Sequence, residues 1–152
     1  MATETVVARE KILAAWRLAS VATAAGVTLA TWADADQSIG HVFSVSSPGA
    51  VNRGRLPVVE LLFSSKANGY LVDEGGMSEM AFNARVIVGG VYNTASEELA
   101  EDIMQAGILE MRNAADSYYR IMDGITTEPT KGPMFNVLQA GLTAELTWER
   151  EA

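Results

Sequence analysis

The sequence contains no cysteine and only one histidine, His41, among its 152 residues. The lack of cysteine excludes a disulfide framework, a cysteine-ligated zinc site and a thiol nucleophile, and it fits a protein made in a reducing cytoplasm. A catalytic triad of serine, histidine and aspartate would have to use His41. A single histidine beside Val42 and Phe43 is usually structural, so this pattern favours no such triad.

Positive charge is also scarce. The chain has 11 lysine and arginine residues against 19 aspartate and glutamate residues, which gives a formal net charge of −8. Phosphate backbones should be repelled over most of such a surface. We therefore expect no stable binding of DNA or RNA.

One uncharged apolar stretch, residues 18–33, follows several basic residues and has to be weighed as a secretory signal. It begins late, consists mostly of alanine and threonine, and contains Gly26, where a helix would stop. It is also too short and too weakly apolar to span a membrane. We interpret the chain as soluble and unprocessed, with no membrane partner.

Motifs for nucleotides and metals are missing. There is no phosphate-binding loop of the G-x-x-x-x-G-K-[ST] type, and Gly89 and Gly90 do not open a dinucleotide fingerprint. The segment "DADQSIGH", residues 34–41, spaces carboxylates as calcium loops do. However, Ile39 and Val45 stand where an EF-hand needs glycine and glutamate, so a polar turn is the preferred interpretation.

Nucleophile and acid–base patterns are equally weak. "GMSEM" around Ser78 lacks the second glycine of a nucleophile elbow. The acidic run at residues 97–102 is typical of a solvated helix start rather than of a pair of catalytic carboxylates. The sequence thus predicts no catalytic, cofactor-binding or metal-binding residue, and a protein that is not an enzyme.

Length and composition favour one domain over residues 1–152. A chain of this size can bury a conventional core, and its hydrophobic fraction of 49% with 20% charged residues is ordinary for a globular protein.

The first half of the chain reads as a helix, a long loop and a hairpin. Good helix formers predict a helix over residues 4–24, ended by Gly26, and alternation predicts a short strand over residues 27–32. Residues 34–55 form a long loop, interrupted by a short strand at residues 41–45. Residues 56–65 and 77–88 predict two long strands, with Pro57 at the start of the first and a long tip over residues 66–77.

The second half reads as a helix and a strand. Thr94 and Glu97 match a capping box, and the helix should run from there to Gly124, with Arg112 and Arg120 towards its end. A turn is predicted over residues 125–133. After it the chain runs through the short segment 135–138 into a final strand. In that strand one side should pack in the core and carries Leu142, Ala144, Leu146 and Trp148.

These elements predict an α+β fold. It comprises a largely antiparallel β-sheet with a long hairpin, two α-helices packed on one face, and a closing strand at the C terminus.

Two segments favour contacts with other protein subunits. The hairpin tip "GYLVDEGG" places large apolar residues between glycines, a display that a monomer normally avoids, and the preceding loop carries a basic spot on an acidic protein. The candidate interface residues are Arg53, Arg55, Tyr70, Leu71, Val72, Asp73 and Glu74.

The order of five segments resembles the tail terminator proteins of long-tailed bacteriophages. They are the N-terminal helix "AREKILAAWRLAS", the strands "RLPVVELLF" and "AFNARVIVGG", the capped helix "TASEELAEDIMQAGILEMR" and the terminal strand "LTAELTWE". The resemblance spans most of the chain and rests on the order of elements rather than on an invariant motif.

The resemblance implies a structural virion protein of the head–tail junction, assembled in the host cytoplasm. Such a protein forms a ring, in this family a hexamer, on the end of the tail tube, stops tube polymerisation and provides the surface that joins the head. The implied partners are further copies of the chain, the tail tube protein and a head-closure or connector protein. DNA would pass through the ring without specific binding, and no cofactor is implied.

Ring contacts are heterologous, so each subunit needs two different complementary patches, for which the hairpin tip and the Arg53/Arg55 loop are candidates. This hypothesis predicts assemblies of about six copies, or monomers that form rings only on a tube end. It also predicts loss of assembly when Tyr70 or Leu71 becomes charged.

Two alternatives stay open. Within the same class, the chain could be a head-closure or tail-completion subunit. From another class, it could be a small soluble enzyme or ligand-binding domain with a pocket beside the 34–55 loop, to which His41 contributes. A monomer whose His41→Ala variant loses turnover would favour the enzyme.

Overall fold

The computed structural model describes residues 4–32, 41–45, 56–63, 77–114, 119–122 and 125–147. These ranges hold four helices and six strands, which confirms the predicted α+β class. In chain order they are α1 (Glu4–Trp16), α2 (Ala19–Ala25), α3 (Leu29–Trp32), β1 (Val42–Val45), β2 (Val58–Phe63), β3 (Met77–Gly89), α4 (Thr94–Asn113), β4 (Tyr119–Ile121), β5 (Thr126–Thr130) and β6 (Phe135–Thr147).

The strands form one mostly antiparallel sheet in the order β1-β2-β3-β6-β4. The long strands β3 and β6 pair along their whole length, from Met77 opposite Thr147 to Gly89 opposite Phe135. β2 pairs with β3 as the predicted hairpin, and β1 joins β2 in parallel. β4 and β5 lie end to end along the other side of β6.

The two faces of the sheet differ because side chains alternate along each strand. One face carries the core. On β3 it presents the alternating residues that the sequence predicts, and all of them are buried: Met80, Phe82, Ala84, Val86 and Val88. Leu142 and Ala144 of β6 are buried on the same face, in agreement with the expected inward side of the final strand.

The helices cover this core face. α1 and α4 contact each other, and both contact the sheet, so the predicted packing of helices on one face is confirmed. Ile12 and Trp16 of α1 are fully buried. The Trp32 indole nitrogen donates a hydrogen bond of 2.8 Å to the carbonyl of Trp16, which ties α3 to the end of α1.

The single helix predicted over residues 4–24 is wrong, because the chain breaks at Arg17 and Leu18. The Trp16 carbonyl accepts from Trp32 instead of continuing the helix, and the Arg17 guanidinium donates to the carbonyl of Val42 at 2.5 Å. Leu18 is extended, and α2 starts after it. The end of α2 at Gly26 is as predicted, since Gly26 has a left-handed φ of 76° that favours glycine.

The strand predicted over residues 27–32 is also wrong. Residues Leu29–Trp32 form a turn of helix, α3. The Thr28 hydroxyl accepts a hydrogen bond from the Thr31 amide at 3.3 Å, as a residue that caps a helix start does. This local bond outweighs the strand preference of the flanking residues.

The capping box of α4 lies one residue earlier than predicted. The Asn93 side chain accepts from the Ser96 amide at 2.8 Å, and the Ser96 hydroxyl accepts from the Asn93 amide at 2.9 Å. Thr94 is therefore the first helical residue rather than the cap. Asparagine is a stronger capping residue than threonine, which explains the choice.

The end of α4 also differs from the prediction. The helix stops at Asn113, and Tyr119–Ile121 forms β4 instead of a further turn. Arg120 accordingly lies on a strand, whereas Arg112 occupies the last helical turn as expected. Tyr119 is fully buried and donates to the Met111 carbonyl at 2.9 Å, so pairing with β6 buries an aromatic ring that a longer helix would not place there.

The turn predicted over residues 125–133 is a strand for most of its length. Thr126–Thr130 forms β5 and pairs with β6 from Val137 to Gly141. Threonine favours extended backbone, and the turn shrinks to the four residues between β5 and β6.

Candidate functional site

The end of the sheet where β3 stops and β6 starts is held by side-chain and backbone hydrogen bonds. The Gly90 amide donates to the carbonyl of Met134 at 2.9 Å. The buried Asn136 side chain accepts from the Gly132 amide at 3.0 Å and donates to the Gly90 carbonyl at 2.9 Å. These bonds join the turn after β3 to the turn after β5 and give both a defined position.

Large apolar side chains are exposed at this end. Val91 is 63% exposed, Met134 is 77% exposed and Phe135 is 36% exposed. We call these three residues the end patch. The hydrogen bond between Gly90 and Met134 places Val91 next to the turn that carries Met134, which Phe135 follows as the first residue of β6. Apolar groups gathered at one place on a surface are typical of contact sites between proteins.

A groove runs between α4 and β5 on the helix side of the sheet. It encloses about 400 Å³, and we call it the α4–β5 groove. Its apolar lining consists of Met104 and Leu138, which are buried, and Ile108 and Ile125, which are half-buried. Its exposed polar lining residues are Glu101, Gln105, Arg112 and Thr127.

A smaller hollow of about 80 Å³ continues this groove towards the start of α4. It shares Glu101, Thr127 and Leu138 with the groove and adds Tyr92 and Pro129 among its lining residues. The two hollows together follow the same side of α4. All five residues of β5 are exposed, so this edge of the sheet is open to a further element.

The start of α4 is acidic, as predicted, and its carboxylates raise the pKa of the neighbouring Tyr92 phenol. Glu97, Glu98, Glu101 and Asp102 are all exposed. The Tyr92 hydroxyl donates to the Glu97 carboxylate, and this bond, together with desolvation and the charges of Glu97 and Glu101, raises the pKa of Tyr92 above its ordinary 10.0. The ammonium group of Lys131 lies 4.5 Å from the centre of the Tyr92 ring.

The face of the sheet opposite the helices is polar at its centre. Glu60 is fully buried there and forms an ion pair of 3.1 Å with Arg85 on the neighbouring strand. Further along, Glu79 stands directly opposite Glu145, and Arg120 pairs with Glu145 at 2.6 Å. Like charges opposite each other on a sheet repel, and the Arg120 guanidinium offsets that repulsion.

His41 has the environment of a structural residue. Its imidazole stacks on the Trp32 ring with centroids 5.7 Å apart, and Nδ1 lies 2.7 Å from the carbonyl oxygen of Pro57, to which it donates as the N–H tautomer. The backbone of His41 also bonds to Trp32 and Val59. Neither the α4–β5 groove nor the smaller hollow is lined by His41.

The predicted interface residues lie outside the described ranges. This applies to the whole candidate set: Arg53, Arg55, Tyr70, Leu71, Val72, Asp73 and Glu74. The end patch was not among the predicted sites. The sequence nevertheless contains an indication of it. Met134 directly follows the turn-forming residues Gly132 and Pro133, and the apolar residues of the predicted hairpin tip likewise stand between glycines.

Other classes of site find no support in the described part of the chain. Within these ranges, no group of three or more histidine, cysteine, aspartate or glutamate residues could hold a metal ion. None of the described helices combines the length and the apolar character needed to cross a bilayer. No protein-family model matches the chain, and no curated protein matches it in sequence.

Proposed function

We propose that this chain is a structural subunit that works through contacts with copies of itself, as a tail terminator at the head–tail junction of a long-tailed bacteriophage. It would form a ring on the end of the tail tube, prevent the addition of further tube subunits and offer the opposite surface to the head. The order of elements supports this proposal, since the sheet, the covering helices and the closing strand follow the arrangement that carries the resemblance.

The observation that carries the proposal is the end patch. Val91 and Met134 are each more than half exposed, at one end of a sheet whose turns are tied by hydrogen bonds. Burying apolar surface on association contributes about 25 cal/mol per Å². An apolar protrusion on a backbone that is already held therefore favours association with another protein, because docking has to order the side chain but not the turn.

The charge of the chain supports the passage of DNA through such a ring. The net charge of −8 repels phosphates, and the exposed acidic residues of α4 add to this locally. A channel that holds no phosphate lets the duplex slide.

Native mass spectrometry and negative-stain imaging of the purified chain test the proposal. We expect assemblies of about six copies with a central hole. Met134→Asp should shift the population to monomers, because it places a charge in the contact. Leu29→Asp, at an exposed apolar position on α3 that lines neither hollow, is the matched control and should leave assembly unchanged. A chain that stays monomeric both alone and in the presence of purified tail tubes would overturn the proposal.

A further inference from the structure

We propose that the turn carrying Met134 inserts into the α4–β5 groove of a second copy of this chain. This inference rests on the proposed function and names the two surfaces that would form each subunit contact. The donor is the turn between β5 and β6, and the acceptor is the groove lined by Met104, Ile108, Ile125 and Leu138.

The donor turn combines an exposed side chain with a backbone held by hydrogen bonds. Met134 is 77% exposed, although its carbonyl accepts from the Gly90 amide and its neighbour Asn136 bonds to Gly132 and Gly90. The backbone is therefore held while the side chain projects. A protruding side chain on a fixed backbone is the form that an anchor residue takes at an interface.

The acceptor groove suits an apolar anchor. Its volume of about 400 Å³ lies within the range of clefts that take a ligand of several functional groups. The buried sides of Met104 and Leu138 are apolar, and methionine adapts its shape to irregular gaps. An inserted thioether would contact these apolar side chains together with the polar side chains that also line the groove.

The charge next to the turn is opposite to the charge at one end of the groove. Lys131, which lies over the Tyr92 ring of its own chain, is exposed three residues before Met134. Glu101 lines the groove towards the start of α4, whereas Arg112 lines it towards the end of that helix. Opposite charges at the margin of an apolar contact orient two partners and raise the rate of association.

The contact has to join two chains. Thr130 closes the β5–β6 hairpin opposite Val137, whereas the groove is lined by residues 125 and 127, which lie about 10–17 Å back along the strand. The bond from Gly90 holds Met134 at the end of the sheet, away from its own groove. Each copy thus offers one turn and one groove, and such a heterologous contact propagates until a ring closes.

Cysteine cross-linking tests the inference directly, because the chain has no cysteine of its own. Met134→Cys and Gln105→Cys are made as separate chains, mixed and oxidised. We expect a disulfide-linked dimer that contains one chain of each kind. The double variant should give a ladder of covalent multimers up to the size of the ring.

The control is Met134→Cys mixed with Glu128→Cys. Glu128 is exposed on β5, but it faces the side of the sheet opposite the helices, so its cross-linking should be several-fold lower. Thermal unfolding of each variant checks that it is folded. If assemblies form but the Gln105 pair cross-links no more than the Glu128 pair, this inference is overturned and the proposed function stands. If no assemblies form, either alone or in the presence of purified tail tubes, both are overturned.

Discussion

A Cβ atom placed on Gly107 of α4 would lie 2.2 Å from Cζ3 of the Trp16 ring. The indole of α1 therefore packs directly on the backbone of α4, and only glycine leaves room for it. Glycine within a helix costs about 1 kcal/mol relative to alanine, so this position gives up helix propensity for close packing of two helices.

Gly107→Ala should lower the free energy of unfolding by about 1–3 kcal/mol, the usual cost of overpacking a core. Trp16 is fully buried and cannot move aside without displacing its neighbours. Urea unfolding followed by circular dichroism measures the effect. Gly141→Ala is the matched control, since its nearest contact would be at 3.8 Å, and it should be neutral or slightly stabilising. An equally mild effect at both sites would contradict the packing described.

Asn93→Ala should cost about 0.5–2 kcal/mol of stability, because it removes the acceptor for the Ser96 amide at the start of α4. Thr94→Ala should cost much less, since Thr94 is the first helical residue and does not act as the cap. Unfolding of the two variants under the same conditions decides between the observed cap and the one that the sequence pattern predicted. A larger loss for Thr94→Ala would restore the original prediction.

The long elements could be predicted because periodicity alone determines them. Met80, Phe82 and Ala84 occupy every second position, and a strand of period two places all three on one face whatever surrounds it. The hairpin of β2 and β3 follows from the same pattern. The predicted start of α4 differs from the observed one by a single residue, because a cap residue bonds to an amide only three positions further along the sequence.

The broken helix and β4 could not be predicted because their causes lie far away in the sequence. The Trp16 carbonyl accepts a hydrogen bond from Trp32, sixteen residues later in the chain, and residues Tyr119–Ile121 pair with residues 144–146 of β6. The good helix formers on both sides of Arg17 favour one continuous helix, and tertiary contacts outweigh that preference.

The candidate site also combines features that a local sequence pattern indicates with features that depend on tertiary packing. The sequence predicts an exposed apolar turn at the hairpin tip, which lies outside the described residues, and it gives no prediction for the exposed Met134. The α4–β5 groove depends on α4 leaving β5 uncovered. That follows from how the helix crosses the sheet, which no short-range pattern encodes.

Glu97→Gln should lower the pKa of Tyr92 towards 10.0. In the native chain the Glu97 carboxylate accepts from the phenol and holds its proton, and the negative charges nearby oppose its loss. Because the folded pKa is the higher one, the associated stability is fully present below pH 10 and is lost as pH rises through the folded pKa. The phenolate absorbance of the native chain minus that of Tyr92→Phe gives the titration of this residue.

Glu98→Gln is the control for this titration, since Glu98 is not among the groups that perturb Tyr92. Glu98→Gln should leave the pKa of Tyr92 unchanged. A shift of the same size in both variants would show that the general negative charge of the helix, rather than the hydrogen bond from Tyr92, raises the pKa.

The ion pairs Glu60–Arg85 and Arg120–Glu145 provide a matched test of burial. Both join neighbouring strands, but Glu60 is fully buried with Arg85 only 15% exposed, whereas Arg120 is 64% exposed. Removal of one partner of a buried pair typically costs about 3–5 kcal/mol, because the remaining charge loses its counter-charge in a poorly solvated place. Exposed pairs are worth about 0.2–1 kcal/mol, since water screens them.

We therefore expect Arg85→Met to destabilise the chain by several-fold more than Arg120→Met. Double-mutant cycles with Glu60→Gln and Glu145→Gln isolate the pairwise energy from other losses at each site. The coupling energy should be clearly larger for Glu60–Arg85, as measured by urea unfolding at neutral pH and low salt. Added salt should weaken the Arg120–Glu145 coupling and leave the buried one nearly unchanged. Equal coupling energies with equal salt dependence would mean that Glu60 and Arg85 are as well solvated as the exposed pair.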